Sequence, residues 1–296
     1  MAKLHIPVML KEATEYLNLS PGNIVVDATV GTAGHSEAIL ESITPGGRLI
    51  AVDRDQESLV IAKERLKRWQ DSCSFVHGNF SDINIILGEM GIKRIDGILF
   101  DLGLSTFQLD NPERGFSFQQ EGPLDMRMDR ESYISAYDLV NNLNEEELSG
   151  LIRNYGQERF HNRIAHLLVQ EREKHPIATT RELSSIIVRA IPHRFRHYRI
   201  HPATRTFQAV RIAVNRELEI LEGALEKAIS FLNKKGRICV ISFHSLEDRI
   251  VKLTFKKAKA QGLVEIVTPK PLVPQWQEVK DNSASRSAKF RVAEKV

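Results

Sequence analysis

Short apolar runs alternate with stretches of helical spacing through the first third of the chain. Ile24 to Thr29 (Ile-Val-Val-Asp-Ala-Thr) and Leu49 to Asp53 (Leu-Ile-Ala-Val-Asp) are rich in β-branched residues and each reaches an acid, as buried parallel strands do. Between them His35 to Ser42 is predicted as a helix stopped by Pro45, Gly46 and Gly47, and after the second run Leu59, Ala62, Leu66 and Trp69 recur at helical spacing. Ser74 to His77 and Ile95 to Asp101 add two more strands, giving the opening of a doubly wound sheet. The pattern breaks at Gly103 and resumes at Gly236 to Ser242, after a helix-like stretch from Ile212 to Leu232. From Asn111 to His201 no strong strand is visible, while Leu143 to Ile152, Arg163 to Arg172 and Arg181 to Ala190 have helical periodicity. A basic helix from Ser245 to Ala260, strands at Val264 to Val267 and Phe290 to Ala293, and a proline-rich loop between those strands follow. The expectation is an α/β fold: a Rossmann-like, doubly wound sheet over 1–110 and 205–296, interrupted by an all-helical domain over 111–204.

Composition changes this picture little. With 296 residues, 42% of them hydrophobic, and 41 Lys plus Arg against 38 Asp plus Glu, the chain is an ordinary globular protein and not a disordered, collagenous or coiled-coil one. Cys73 and Cys239 sit in apolar runs without CxxC spacing and read as buried thiols of a reducing compartment. No apolar run has the length of a membrane span or signal peptide, so a soluble, cytoplasmic protein is expected.

Charge distribution says more than the net value of +3. Arg189 to Arg216 contains seven arginines and neither Asp nor Glu, with Phe195, Tyr198 and Phe207 interleaved, the composition of a surface that meets phosphates and stacks on unpaired bases. Arg249, Lys252, Lys256, Lys257 and Lys259 form a second basic stretch. His193, His197 and His201 share a four-residue spacing, but Pro192 and Pro202 bracket them and the neighbouring arginines repel a cation; no metal is expected.

Candidate chemistry starts where the first strand runs into Asp27-Ala-Thr-Val-Gly31-Thr-Ala-Gly34-His35 and then a helix. A dinucleotide site wants three glycines and a pyrophosphate on the helix N-terminus; only Gly31 and Gly34 are present, and the Asp27 carboxylate repels a pyrophosphate. The same carboxylate suits a cofactor with a cationic centre and an ammonium group, such as S-adenosylmethionine, and Asp53 is placed to accept hydrogen bonds from ribose hydroxyls. A lone acid at a strand end is as often a cap or turn former; two on consecutive strands favour a nucleoside cofactor. There is no P-loop, neither Ser242 nor Ser245 lies in a G-x-S-x-G elbow, and both cysteines lie within strands, where a nucleophile is not expected.

Seven segments, in order along nearly the whole chain, carry a specific resemblance: His5-Ile-Pro-Val-Met, Asp27 to Ser36, Asp96 to Ser105 with Gln108-Leu-Asp, Arg114-Gly-Phe-Ser-Phe118, Gly122-Pro-Leu-Asp-Met-Arg-Met128, His201 to Arg211, and Ile241 to Arg249. In them the chain resembles the MraW family, which methylates the N4 amine of a decoding-centre cytosine in small-subunit (16S) ribosomal RNA with S-adenosylmethionine. The resemblance implies that Ala33, Gly34, His35, Asp53, Phe80, Asp101 and Gln108 hold the cofactor, and that a helical domain interrupts the sheet. It also implies small-subunit ribosomal RNA, or the assembled subunit, as partner; a homodimer is admitted, and a membrane is not. Two departures stand out: Ala33 occupies a position where the family often has glycine, and Asp101-Leu-Gly-Leu-Ser replaces the Asp-Pro-Pro-Tyr type loop of many amino-group methyltransferases.

Methyl transfer from a sulfonium to an amine builds positive charge on a nitrogen whose lone pair is delocalised into the ring, so a hydrogen-bond acceptor beside that nitrogen helps. Asp101 is expected to supply it. His244 is a second catalytic candidate, equally well read as a structural histidine capping a turn. Arg205, Arg211 and Arg249 are expected on RNA; Phe116, Phe118, Met126 and Met128 suit either a target pocket or a core. A nicotinamide-dependent oxidoreductase and a non-catalytic ribosome-assembly factor are the alternatives.

Overall fold

Seven strands form one mixed sheet in the order β3-β2-β1-β4-β5-β7-β6, all parallel except β7, which is antiparallel to β5 and to β6. The computed structural model describes residues 7–196 and 200–296; His5 and Ile6 of the first motif, and His197, Tyr198 and Arg199 of the arginine-rich run, lie outside the described residues. The chain divides into two compact units, Met1–Ser105 with Leu218–Val296, and Thr106–Glu217.

The sheet unit begins α1 (Leu10–Leu17), β1 (Ile24–Asp27), α2 (Gly34–Ile43), β2 (Arg48–Asp53), α3 (Gln56–Arg65), β3 (Cys73–His77), α4 (Ile83–Glu89) and β4 (Ile95–Asp101). The helical unit contains α5 (Thr106–Asp110), α6 (Ala136–Asn142), α7 (Glu145–Gly156), α8 (His161–Arg172), α9 (Thr180–Ala190) and α10 (Thr204–Asn215). The sheet then resumes with α11 (Glu217–Phe231), β5 (Leu232–Ser242), α12 (Ser245–Ala260), β6 (Val264–Ile266), α13 (Trp276–Asp281) and β7 (Lys289–Lys295).

Continuous apolar runs form these strands because both faces of the sheet are covered. Val26, Ile50, Ile98 and Val240 point into one core, shared with α4, α11 and α12. Their neighbours Val25, Leu49, Leu99 and Cys239 point into the other, shared with α1, α2 and α3. Burial pushes the Cys73 thiol up to about 12 and raises that of Cys239 further, which leaves two inert apolar groups.

Two expectations need correction. The stretch from Ile212 to Leu232 is not one helix: Arg216 adopts a left-handed conformation (φ 50°) that ends α10 and lets α11 start on a new axis. Accordingly α10 packs with the helical unit, whose bounds fall at Thr106 and Glu217 and not at 111 and 204.

Candidate active site

Strand order reverses at β1, which has β2 on one side and β4 on the other, and the carboxyl ends of strands at such a switch point are where open α/β sheets bind ligands. Three carboxylates stand there. Asp27 pairs in register with Ala51 and Leu99, so Asp53 and Asp101 lie one side-chain repeat further along their strands, on the same edge.

Each acid is held differently. Asp27 is buried, accepting from the Ser36 hydroxyl at 2.6 Å and the Thr29 N–H at 3.3 Å. Burial outweighs these bonds, and with the charge of Asp53 it lifts the pKa to about 6. Asp53 accepts from the Gly31 N–H at 2.7 Å and the Asp55 N–H at 2.9 Å, which fixes its orientation while each oxygen keeps a lone pair for a ligand. Its pKa is raised, chiefly by burial. Asp101 differs: its backbone N–H is tied to the Thr29 hydroxyl at 2.7 Å, but its Oδ1 is buried with no hydrogen-bond partner among the described residues. Burial, then the charges of Asp27 and Glu247, hold its carboxyl well above the usual range.

The glycine turn positions the remaining groups. Ala33 caps α2 in a left-handed conformation (φ 66°), which is the physical reason glycine suits that position. A Cβ on Gly34 would lie 2.3 Å from Pro7 Cγ, so only glycine lets the N-terminal segment pack there. The buried His35 donates from Nε2 to the Val8 carbonyl at 2.9 Å, and its Nδ1 lies 3.5 Å from Asp101 Oδ2. Phe80 follows β3 at the same edge, its ring edge-on to Phe100 at 5.7 Å.

His244 follows β5 and is the N-cap of α12: its Nδ1 accepts the Glu247 N–H at 3.3 Å, Glu247 returns a bond to the His244 N–H, and Nε2 lies 3.2 Å from Glu247 Oε1. The structural role is thereby filled, since the imidazole is oriented by its own helix. Gln108 is buried in α5 of the helical unit.

Within the helical unit the predicted RNA residues separate. Arg205 projects from α10 with an exposed side chain, Nη1 3.4 Å from the Gln157 carbonyl. Arg211 instead makes a bidentate bridge to the buried Glu217 at 3.0 and 2.9 Å, an internal tie and not an open phosphate contact. Phe207, Phe116, Met126 and Met128 are buried, while the half-buried Phe118 stacks on His201 at 4.5 Å. Arg249 is exposed on α12 of the sheet unit, but farther along that helix Lys257 is bridged to Glu226 at 2.7 Å and Glu222 at 3.5 Å, so the second basic stretch is partly neutralised.

Sequence reasoning missed Asn215, which accepts from the Met128 N–H at 2.8 Å and donates to the Met126 carbonyl at 2.7 Å. It also missed Arg159 and Phe160, an adjacent pair whose guanidinium lies over both its own neighbour's ring and that of Phe195. No pattern in the chain marks either.

The model of the MraW methylase family matches residues 2–296. The chain is 51% identical over 292 residues to the ribosomal RNA small subunit methyltransferase H of Sulfurihydrogenibium sp. (strain YO3AOP1), covering 99% of each. It is 48% identical over 307 residues to the protein of the same name from Caldicellulosiruptor saccharolyticus, again covering 99% of each. Among solved structures, an rRNA methylase from Streptococcus thermophilus superposes with a TM-score of 0.46 at 11% identity, over 100% of this chain and 99% of that one.

Proposed function

Because the chain belongs to the MraW methylase family, we propose that it methylates the N4 amine of a cytosine in the decoding centre of small-subunit ribosomal RNA, with S-adenosylmethionine as donor. The observation that carries the cofactor reading is the set of three carboxylates at one sheet edge, one of them with an orphaned buried oxygen. Such a set repels the pyrophosphate of a nicotinamide dinucleotide and attracts a sulfonium and an ammonium group. The raised pKa of each acid says the same thing: a cation here would relieve both desolvation and mutual repulsion.

S-Adenosylmethionine supplies an electrophilic methyl group; the chain supplies the surroundings. Asp53, locked by two backbone N–H groups, presents an oriented anionic acceptor for hydroxyls. Asp101 offers Oδ1 to an N–H bond that strengthens as positive charge develops on a nitrogen, the preorganised electrostatic help such a reaction needs. His35 orders the turn by its bond to the Val8 carbonyl and stands beside Asp101 Oδ2. His244 acts as a positioning residue, setting the start of α12. The helical unit carries the RNA surface, with Arg205 meeting phosphate.

The assignment is tested by mapping methylated nucleotides in small-subunit RNA, by mass, from cells with and without the protein; loss of one N4-methylcytosine is expected, and an unchanged map rejects it. Asp101→Asn should lower single-turnover methylation about 100-fold. It should not destabilise the fold, since the folded state already disfavours the ionised form of that side chain. A melting temperature raised by S-adenosylmethionine and unmoved by NAD separates the methylase from the oxidoreductase reading.

A further inference from the structure

A cavity of about 400 Å³ opens on the surface of the helical unit, well away in sequence from the carboxylates of the sheet edge. Its walls are aromatic and cationic. Phe160 and Phe195 lie 5.3 Å apart with their rings tilted at 43°. The Arg159 guanidinium sits 3.8 Å from the Phe195 centroid and 4.5 Å from that of Phe160, and Arg194 reaches the same Phe195 ring at 4.8 Å. Arg205 stands at the rim, 3.9 Å from the buried Glu158, which is oriented by the Phe160 N–H at 2.9 Å.

We infer that this cavity takes an unstacked nucleobase of the substrate RNA, one other than the base that is methylated. Charge and shape both point to that occupant. Partly exposed rings backed by guanidinium planes are the platform on which single-stranded bases stack, and the two arginines that line the cavity, Arg159 and Arg205, match the phosphates that flank such a base. Glu158 adds selectivity: an acceptor at the wall rewards a base that presents an amino group on its Watson–Crick edge. In physical terms, gripping one base fixes the register of the strand on the helical unit.

This inference rests on the RNA reading above, and the test separates the two. The probe is a single-stranded RNA decamer containing 2-aminopurine, titrated against the full chain by fluorescence anisotropy and base quenching at fixed salt. Wild type should bind and quench the probe. Phe195→Leu, which keeps volume but removes the π face, and Arg159→Ala should each weaken binding roughly 10-fold and abolish quenching, while the calorimetric affinity for S-adenosylhomocysteine stays at the wild-type value as the check on folding. Glu158→Gln should narrow the preference for cytidine- over uridine-rich decamers. If wild type binds RNA and the Phe195 and Arg159 variants bind and quench equally well, the cavity is not a base site and the inference falls while the RNA reading stands. If wild type binds no RNA at any salt, both fall.

Discussion

Asp27 holds its proton more tightly than an exposed carboxyl, because burial beneath the turn penalises the anion more than Ser36 and Thr29 reward it. A carboxyl with a raised folded-state pKa binds protons better in the folded than in the unfolded chain, so its contribution is most favourable at low pH and is lost as pH rises from 3.8 through about 6. That interval corresponds to roughly 3 kcal/mol at neutral pH. Asp27→Asn, which keeps shape and one acceptor for Ser36, should therefore gain stability relative to wild type by about that amount between pH 4 and pH 7, measured by denaturant unfolding at both. A difference that does not change with pH would mean that Asp27 is ionised in the folded state without cost. The expected consequence for function is opposite in sign: losing the anion removes attraction for a cationic ligand, so the variant should be steadier and bind S-adenosylmethionine less well. Asp27, Asp53 and Asp101 were legible in the sequence because a strand ending in an acid is a local pattern. That Asp27 is spent inside the turn while Asp101 is left with an orphaned oxygen was not, since it depends on Ser36 and Thr29 folding back in three dimensions.

Elements were legible where one face is periodic and the caps are local. Strand β4 falls at the predicted residues, and α7 and α9 are N-capped by Asn144 and Thr179, each closing a capping box with the Glu three residues on. The segments around Arg114 and Met128 were readable as loops whose Phe and Met residues suit a pocket or a core, but the burial of their backbone was not legible. Gly122 sits so close to the backbone that a Cβ would lie 1.9 Å from the Pro112 carbonyl oxygen, Met126 takes a left-handed φ of 58°, and Arg114 is buried with its guanidinium donating to the Met128 carbonyl at 2.8 Å. Irregular backbone can be buried only if its polar groups are met individually, and Asn215 at the end of α10 meets two of them. Asn215→Ala should therefore strand the Met128 N–H and Met126 carbonyl and cost about 2 to 4 kcal/mol, seen as an earlier denaturant midpoint for the helical unit. A loss below about 0.5 kcal/mol would show that water or a shifted loop replaces the clamp without difficulty. This dependence of a loop on one distant side chain is invisible to periodicity.

Across the whole molecule, a charge sum of +3 gave no hint of a nucleic-acid partner, and an acid-free run of arginines did. The fold qualifies that run by bringing acids to it from elsewhere in the chain: Glu171 reaches Arg189 at 3.1 Å, and Glu217 takes Arg211 in two bonds. Arginines that look equivalent in sequence therefore have different work. Arg205 is about half exposed and its contact to Glu158 is long, so its removal should cost little stability and subtract one phosphate contact. For single-stranded RNA one lost contact lowers the slope of log affinity against log salt by about 0.7, and that is the expected result for Arg205→Ala in titrations from 50 to 200 mM salt. Arg211→Ala should do the reverse. Its guanidinium and Glu217 are both largely buried, so truncation leaves an uncompensated carboxylate and costs about 3 kcal/mol in unfolding, with the salt slope of the folded protein unchanged. Equal salt slopes for Arg205→Ala and wild type would place the RNA elsewhere on the molecule, while a lowered slope for Arg211→Ala without destabilisation would show that its bridge to Glu217 opens to release it for phosphate.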